Sequence, residues 1–322
     1  MIIARDRPAL KRALAGLDRP LALIPTMGAL HEGHMALLAE GQHQAASTLA
    51  SIFVNPLQFA AGEGFDRYPR DDARDLALLE LTGCRVAWLP TVETMYPPGC
   101  ATTIEVGGPA EGFEGAVRPG YFRGVATVVA KLLHRVEPEL VLFGEKDWQQ
   151  LQVVRRMVAD LDWPVRIVAV PILREADGLA MSSRNRYLTR EQRAVAPGLF
   201  RVMQEVAQAG ADPAALEHGA SALRAMGMEP DYLALVEAET MRPILVPNHS
   251  ARLVAAARLD TVRLLDNMAI PATSLAHQDE DHQEEIDVTI CSPDDPERMP
   301  NGAYPGSQQT PLDTTNTNRL DR

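Results

Sequence analysis

The sequence has few cysteines and no long apolar run. Its 322 residues include three cysteines, Cys84, Cys100 and Cys291, which are widely spaced and odd in number. This pattern excludes a disulfide framework and is typical of a reducing cytoplasm. No stretch reaches the roughly 18 apolar residues of a membrane span, and the basic N-terminus lacks the apolar core of a signal peptide. We therefore expect a cytoplasmic protein without a membrane partner.

The sequence also lacks a net excess of positive charge, since acidic residues outnumber basic ones by 43 to 31. The net charge is −12, but residues 275–322 hold 11 acidic and 3 basic residues, which is −8, so the other 32 acidic and 28 basic residues leave −4. No basic stripe marks a nucleic-acid surface, and we expect no nucleic-acid partner. Beyond Pro271 the chain is polar and without periodicity, so burial cannot offset its ordering entropy. The composition predicts a disordered acidic tail over 271–322.

Several catalytic motifs are missing as well. No Gly-x-x-x-x-Gly-Lys-Ser/Thr string is present, which excludes a P-loop. Gly107, Gly108 and Gly112 do not form a dinucleotide fingerprint, because no strand leads directly into a helix there. No Ser-His-Asp or Cys-His arrangement indicates a protein nucleophile.

The sequence does contain a predicted strand, loop and helix near its start. Residues 21–24 predict a short buried strand, and the apolar periodicity after Gly33 predicts a helix. Gly28 and Gly33 let the backbone approach a bulky anion, at which the first N–H groups of the helix point. His31 and His34 lie at the helix mouth as further donors. The junction is a candidate phosphate site.

The two histidines also allow other interpretations. One could cap the helix while the other lies on the surface, and the residues alone give that alternative equal weight. A metal site is disfavoured, because no cysteine is close in sequence and His43 would lie well down the helix.

Strands and helices alternate as far as residue 170. The further predicted strands are 49–54, 86–89, 140–143 and 165–170. The predicted helices include 7–17 and 71–82, and apolar stripes around 125–133 and 148–161 predict two more. Such alternation indicates a parallel α/β sheet, whose ligands bind beyond the carboxyl ends of the strands. Residues 91–117 predict an irregular loop with an exposed Met95-Tyr96-Pro97 turn.

Two polar side chains follow predicted strand ends. Lys146, one of only three lysines, lies where the strand 140–143 meets a helix N-terminus, the expected place for a phosphate-binding cation. Gln58 carries an amide that can both donate and accept hydrogen bonds, which suits a small hydroxy acid. A single glutamine after a strand is, however, more often an ordinary loop residue.

A third segment, Met181-Ser182-Ser183-Arg184, combines hydroxyl groups with a guanidinium. Such a loop can fold over a triphosphate and replace the water that closure expels. Alternatively, the serines cap a helix that begins near Thr189. The spacing favours neither interpretation.

Three strings resemble one family. Pro25-Thr26-Met27-Gly28-Ala29-Leu30-His31-Glu32-Gly33-His34 contains the His-x-Gly-His signature of the nucleotidyl-transferring superfamily that includes class I aminoacyl-tRNA synthetases, and as a whole it resembles the pantothenate synthetases, or pantoate–β-alanine ligases. Phe53-Val54-Asn55-Pro56-Leu57-Gln58-Phe59 resembles their pantoate-binding segment. Met181-Ser182-Ser183-Arg184-Asn185-Arg186-Tyr187-Leu188 resembles their counterpart of the synthetases' mobile Lys-Met-Ser-Lys-Ser loop. The resemblance covers about residues 1–270 and departs at Tyr121, where the family usually has a histidine.

The resemblance implies a Rossmann-like parallel sheet of the nucleotidyltransferase type with a smaller α+β C-terminal domain. It also implies ATP-dependent ligation of (R)-pantoate and β-alanine to pantothenate through a pantoyl adenylate, with release of AMP and pyrophosphate. One alternative is a related nucleotidyltransferase that acts on a different small acid or nucleotide, against which the segment 55–59 argues. Another is a non-catalytic nucleotide-binding module, in which we would expect losses among His34, Lys146 and Ser182-Ser183-Arg184.

The resemblance also implies roles for individual residues. The implied catalytic residues are His34, His31 and Lys146. The implied ATP-binding residues are Met27, Gly28, Ala29, Leu30, His31, Glu32, Gly33, His34, Gly144, Glu145, Lys146, Asp147, Leu173, Met181, Ser182, Ser183 and Arg184. Gln58, Gln150 and Met27 are implied to bind pantoate or β-alanine. The substrate ATP implies Mg²⁺, for which Asp75 is a candidate indirect contact, although charge at a helix N-terminus is the favoured explanation of that residue.

The chain is expected to have three segments and to act as a homodimer. They are a Rossmann-like ATP- and pantoate-binding domain over 1–187, a small α+β lid domain over 188–270 and the tail over 271–322. Within the lid domain, we predict a helix over 192–209, a second helix ending at 226, and strands over 232–237, 252–257 and 262–265.

Overall fold

The computed structural model describes residues 1–60 and 64–270, so the prediction for the tail over 271–322 lies outside the described residues. The strands are β1 (Ile2–Ala4), β2 (Leu21–Thr26), β3 (Ser47–Ile52), β4 (Val86–Trp88), β5 (Leu140–Gly144), β6 (Arg166–Val170), β7 (Glu229–Glu237), β8 (Ala251–Leu259) and β9 (Val262–Ala269). The helices are α1 (Arg7–Leu14), α2 (Glu32–Gln44), α3 (Asp72–Leu81), α4 (Val92–Met95), α5 (Phe113–Val117), α6 (Tyr121–Val136), α7 (Trp148–Asp160), α8 (Arg190–Val195), α9 (Gly198–Gln208) and α10 (Pro213–Ala225).

Two sheets organise these elements. The first is parallel, with strand order β1-β4-β3-β2-β5-β6, and the second is antiparallel, with order β7-β8-β9. The predicted Rossmann-like sheet with a smaller α+β part is therefore confirmed. After β2 the chain builds the sheet outward through β3 and β4, and it then returns to build β5 and β6 on the other side of β2. The carboxyl ends of β2 and β5 thus flank a topological switch point, where ligands of such sheets bind.

Each sheet has its own apolar core. The central strands of the parallel sheet are buried along their whole length, as the continuous apolar runs predict. Helix α6 packs its apolar side chains on one face of this sheet, and α2 packs on the other. The antiparallel sheet is covered by α9 and α10. No helix in the described ranges is long and apolar enough to cross a membrane.

The structure differs from the sequence predictions at four places. Strand β1 was not predicted, because it has three residues and two of them are exposed at the sheet edge. Strand β2 continues through Pro25, since its pairing with β5 has ended at Leu23 and no donor is needed there. The predicted helix 192–209 is two helices, separated around Pro197. Finally, the predicted irregular loop over 91–117 contains the short helices α4 and α5, and in its predicted exposed turn Pro97 is exposed but Met95 is fully buried.

Candidate active site

A cavity of about 230 Å³ lies at the carboxyl ends of β2 and β5. Its wall gathers residues from segments that are far apart in sequence. The predicted site residues that line it are Met27, His31, Gly33, Gln58, Gly144, Lys146, Asp147, Gln150, Leu173, Met181, Ser182, Ser183 and Arg184. Apolar side chains of α6, among them Val125 and Val128, close its floor. The switch point therefore holds one cleft with polar walls and an apolar base, which is typical of small-molecule sites.

The loop between β2 and α2 is braced by a buried carboxylate. Asp75 accepts hydrogen bonds from the backbone N–H groups of Ala29 at 2.8 Å and Leu30 at 2.9 Å. Gly28 has a φ of +79°, and a Cβ there would lie 2.9 Å from an Asp75 carboxylate oxygen. Both oxygens of Asp75 are thus engaged by the loop. This geometry makes Asp75 a support of the loop, a role that neither of the sequence interpretations included.

The two histidines cap α2, each through one ring nitrogen. Nδ1 of His31 accepts a hydrogen bond from the N–H of Gly33, and Nδ1 of His34 accepts one from the N–H of His31. An imidazole that accepts at Nδ1 carries its proton at Nε2, so both rings present an N–H donor at the other nitrogen. The ring centroids are 4.2 Å apart. His31 lies in the described cavity wall and His34 does not.

Both histidines are neutral at physiological pH. Burial lowers the pKa of His34 to about 3, with a further contribution from His31. Burial and the neighbouring Lys146 charge lower the pKa of His31. Neutral imidazoles can donate one hydrogen bond each to an anion but do not supply a positive charge, so the positive charge in the cleft wall comes from Lys146, Arg118 and Arg184.

We expect the depressed histidine pKa values to destabilise the protein in acid. The pKa of His34 is about 3 in the folded state against 6.5 ordinarily. Between these values the unfolded chain binds more protons than the folded chain, so the free energy of unfolding falls as the pH is lowered from 6.5 towards 3. Thermal unfolding of the protein and of a His31→Gln, His34→Gln variant measures this, and the variant should lose less stability over the window.

His43→Gln is the matched control, since His43 lies exposed on the same helix. Its acid profile should match that of the parent. An unchanged acid slope in the double variant would contradict buried neutral histidines.

Gln58 is held in a network that fixes the direction of its amide. Its Oε1 accepts a hydrogen bond from Nδ2 of Asn55 at 3.0 Å, and the Oδ1 of Asn55 accepts from the hydroxyl of Tyr96 at 2.8 Å. Gly124 lets α6 approach this turn closely, because a Cβ there would lie 2.2 Å from the carbonyl oxygen of Leu57. Gln58 lines the cavity, and with its oxygen engaged the amide offers its NH₂ group as a donor.

Tyr121 engages the amide oxygen of Gln150, as Asn55 engages that of Gln58. The Tyr121 hydroxyl lies 3.0 Å from Oε1 of Gln150, while the Arg118 guanidinium stacks 3.7 Å from the centre of the Tyr121 ring. Burial raises the pKa of Tyr121, so this phenol stays protonated and donates. Two glutamines whose amide oxygens are engaged therefore line one cleft, and their NH₂ groups suit an acid with hydroxyl groups.

The Lys146 turn follows β5 directly. Residues Glu145–Asp147 form a 3₁₀ turn that leads into α7. The Lys146 ammonium lies 3.8 Å from a carboxylate oxygen of Asp147 and its side chain is 16% exposed. Glu145 points away from the cleft and pairs with Arg252 of β8 at 3.0 Å.

The loop after β6 carries the paired serines. Arg174 anchors it through a bidentate contact with Asp266 of β9, at 2.6 and 2.9 Å. Ser182 accepts a hydrogen bond from the N–H of Arg184 and begins a 3₁₀ turn. The helix α8 is capped by Thr189 instead, so the interpretation of the serines as its cap is wrong.

A second cavity, of about 1090 Å³, adjoins the first and extends to the antiparallel sheet. Both cavities share wall residues, among them Lys146, Gln150 and Arg184. Tyr68 and Arg118 also line both, and neither was a predicted site residue. For Arg118, the available sequence signal was the Pro119-Gly120 pair that follows it, which marks a turn before α6.

The remaining predicted ATP-binding residues support the cleft without lining its described wall. They are Gly28, Ala29, Leu30, Glu32, His34 and Glu145. The described residues contain no group of three or more His, Cys, Asp or Glu side chains that could hold a metal ion.

The chain is similar in sequence to known pantoate–β-alanine ligases. A family model described as Pantoate-beta-alanine ligase matches residues 3–269. A pantothenate synthetase of Acidiphilium cryptum (strain JF-5) is 55% identical over 278 residues, which is 84% of this chain and 100% of that protein. One of Granulibacter bethesdensis is 51% identical over 277 residues, which is 83% of this chain and 96% of that protein.

Solved structures are similar over the same region. The pantothenate synthetase from Thermus thermophilus has a TM-score of 0.79 and 46% identity, covering 84% of this chain and 99% of that one. The pantoate-beta-alanine ligase from Francisella tularensis, complexed with beta-gamma ATP and beta-alanine, has a TM-score of 0.73 and 30% identity, covering 83% and 97%.

Proposed function

The chain belongs to the pantoate–β-alanine ligase family, and from this premise we propose that the cleft at the ends of β2 and β5 is where ATP activates pantoate. The reaction joins pantoate to β-alanine with ATP as a substrate. The observation that carries the assignment of the site is the convergence of Lys146, Gln58 and Ser182-Ser183-Arg184 in the wall of one cavity.

In the first step, a carboxylate oxygen of pantoate attacks the α-phosphorus of MgATP. The bond from that phosphorus to the bridging oxygen breaks, pyrophosphate leaves, and pantoyl adenylate forms. Lys146 faces the phosphates with its ammonium, and His31 donates from Nε2. His34 supports that geometry through its contact with His31. Such preorganised donors stabilise charge as it moves to the leaving oxygen.

The glutamine amides hold the acid for this attack. With their oxygens engaged by Asn55 and Tyr121, Gln58 and Gln150 present NH₂ groups to the oxygens of pantoate. In the second step the amine of β-alanine attacks the acyl carbon, AMP leaves and the nitrogen loses a proton. We assign the entry of β-alanine to the larger cavity, which shares Tyr121 and Gln150 with the first.

We extend the proposal to the organisation of the chain. The nucleotide-binding part over 1–187 and the lid over 188–270 stay the proposed domains, and Mg²⁺ enters as part of the MgATP substrate. The widely spaced cysteines support a cytoplasmic location. The homodimer stays a prediction that rests on the family.

An exchange assay tests the proposed function. The purified chain should exchange labelled pyrophosphate into ATP only when pantoate is present, since adenylation precedes the amine step, and β-alanine should not be required. Chelation of Mg²⁺ should stop the exchange. Exchange that depends on a nucleotide or on an amino acid, with pantoate inert, would overturn the assignment.

A further inference from the structure

Strand β9 contacts two of the segments that face the proposed triphosphate, the Lys146 turn and the loop that carries the paired serines. Nδ2 of Asn267 donates to the carbonyl oxygens of Glu145 and Lys146, at 2.9 Å each. Its neighbour Asp266 holds Arg174, at the start of the loop that leads to the paired serines. Two adjacent residues of the antiparallel sheet therefore hold two of the segments that form the wall of the cleft.

We propose that Asn267 is a positioning residue for adenylate formation, which fixes the backbone of the Lys146 turn and so the place from which the ammonium reaches the phosphates. The inference rests on the proposed function. It adds a residue that acts through Lys146, since neither polar atom of the Asn267 side chain is available to a ligand. Nδ2 donates both of its hydrogens to carbonyl oxygens of the turn, and Oδ1 is buried.

The orientation of this amide is set by the two carbonyls. A flipped amide would place Oδ1 against two carbonyl oxygens and lose both hydrogen bonds. In the observed orientation, Oδ1 of Asn267 has no hydrogen-bond partner among the described residues. A buried acceptor without a partner lowers stability, so asparagine is not the most stable choice for this position. Holding the turn explains its presence.

The support for Asn267 is rigid. Its own N–H donates to Oδ1 of Asp266 at 2.7 Å, and the residue is paired with Val254 of the central strand β8. Arg252 of β8 stacks 3.4 Å from the ring centre of Trp148, just beyond the turn. The turn is thus held at its carbonyl oxygens by β9, and the residue that follows it, Trp148, is held by β8. Small displacements of a catalytic group are costly to rate, and this arrangement prevents them.

A double-mutant cycle tests the proposal. We expect Asn267→Ala to slow single-turnover formation of pantoyl adenylate, at saturating ATP and pantoate, on the order of 10- to 100-fold. In a Lys146→Ala background the same change should cost less than about twofold, because the group that it positions is gone. An equal loss in both backgrounds, or no loss in the parent, would overturn the inference.

A second variant keeps the test decisive if alanine prevents folding. Asn267→Ser retains a hydroxyl that can donate to one of the two carbonyls, so it should lose less activity than alanine and show the same dependence on Lys146. Asn248→Ala is the matched control: it removes a side-chain acceptor for the N–H of Ser250, away from the turn, and should leave the rate unchanged. Pantoate-dependent exchange by the unaltered chain tests the proposed function separately, so the two failures are distinguishable.

Discussion

Replacing Lys146 with alanine is expected to slow the formation of pantoyl adenylate by about a hundredfold or more, which is on the order of 3 kcal/mol. Lys146 lies in the walls of both cavities, at the junction of β5 with a helix N-terminus. As pyrophosphate leaves, negative charge grows on the bridging oxygen, and an ammonium in a partly buried cleft stabilises that charge more in the transition state than in bound ATP. Single-turnover measurement at saturating substrates isolates this step from product release.

The chain offers a matched control in Lys131, one of its three lysines. That ammonium lies 5.6 Å from the centre of the Tyr96 ring, and the residue is outside the walls of both cavities. Lys131→Ala removes the same charge from the protein, so a general effect of net charge would appear in both variants. Adenylate formation by Lys146→Ala at the rate of the Lys131→Ala protein would show that Lys146 does not act on the phosphates.

The location of the cleft could be predicted because it depends on local patterns. Apolar runs predicted the strands, and the carboxyl ends of parallel strands share one edge of a sheet. It follows that polar residues just after β2 and β5, such as His31 and Lys146, lie close together whatever the details of packing. Predicting the location of the cleft therefore did not require knowing which side chains contact one another.

The supporting residues could not be predicted in this way. Asp75 contacts a loop 45 residues earlier, and Asn267 contacts a turn 121 residues earlier. An aspartate at a helix N-terminus looks the same in sequence whether it only complements the helix dipole or braces a loop. These roles depend on tertiary contacts, and periodicity within one segment carries no information about them.

The same limit applies to the ionic network between α5 and the antiparallel sheet. Arg263 of β9 makes a bidentate contact with Glu114 and also donates to Asp231 at 2.5 Å, while the hydroxyl of Tyr232 donates to Glu114 at 2.8 Å. Burial lowers the pKa of Arg263, but the hydrogen bonds and charge of Glu114 outweigh it, so the pKa is raised overall. The network joins residues that are 149 positions apart.

We expect Arg263→Ala to lower the free energy of unfolding by about 3 to 5 kcal/mol, the cost of leaving a buried charge without its partner. The side chains of Glu114 and Asp231 are only 8% and 10% exposed. Without Arg263, Glu114 keeps a single hydrogen bond from Tyr232 and no counter-charge from this network. Denaturant unfolding at neutral pH measures the loss.

Two further variants separate this cause from a general loss of packing. Arg258 pairs with Asp231 from an exposed position, so Arg258→Ala should cost no more than about 1 kcal/mol. Adding Glu114→Gln to Arg263→Ala removes the stranded charge, and the double variant should recover a substantial part of the stability. If Arg263→Ala costs no more than Arg258→Ala, or if the glutamine gives no recovery, the buried charge is not what Arg263 stabilises. Recovery would instead identify Arg263 and Glu114 as the ionic contact that ties α5 to the strand carrying Asn267.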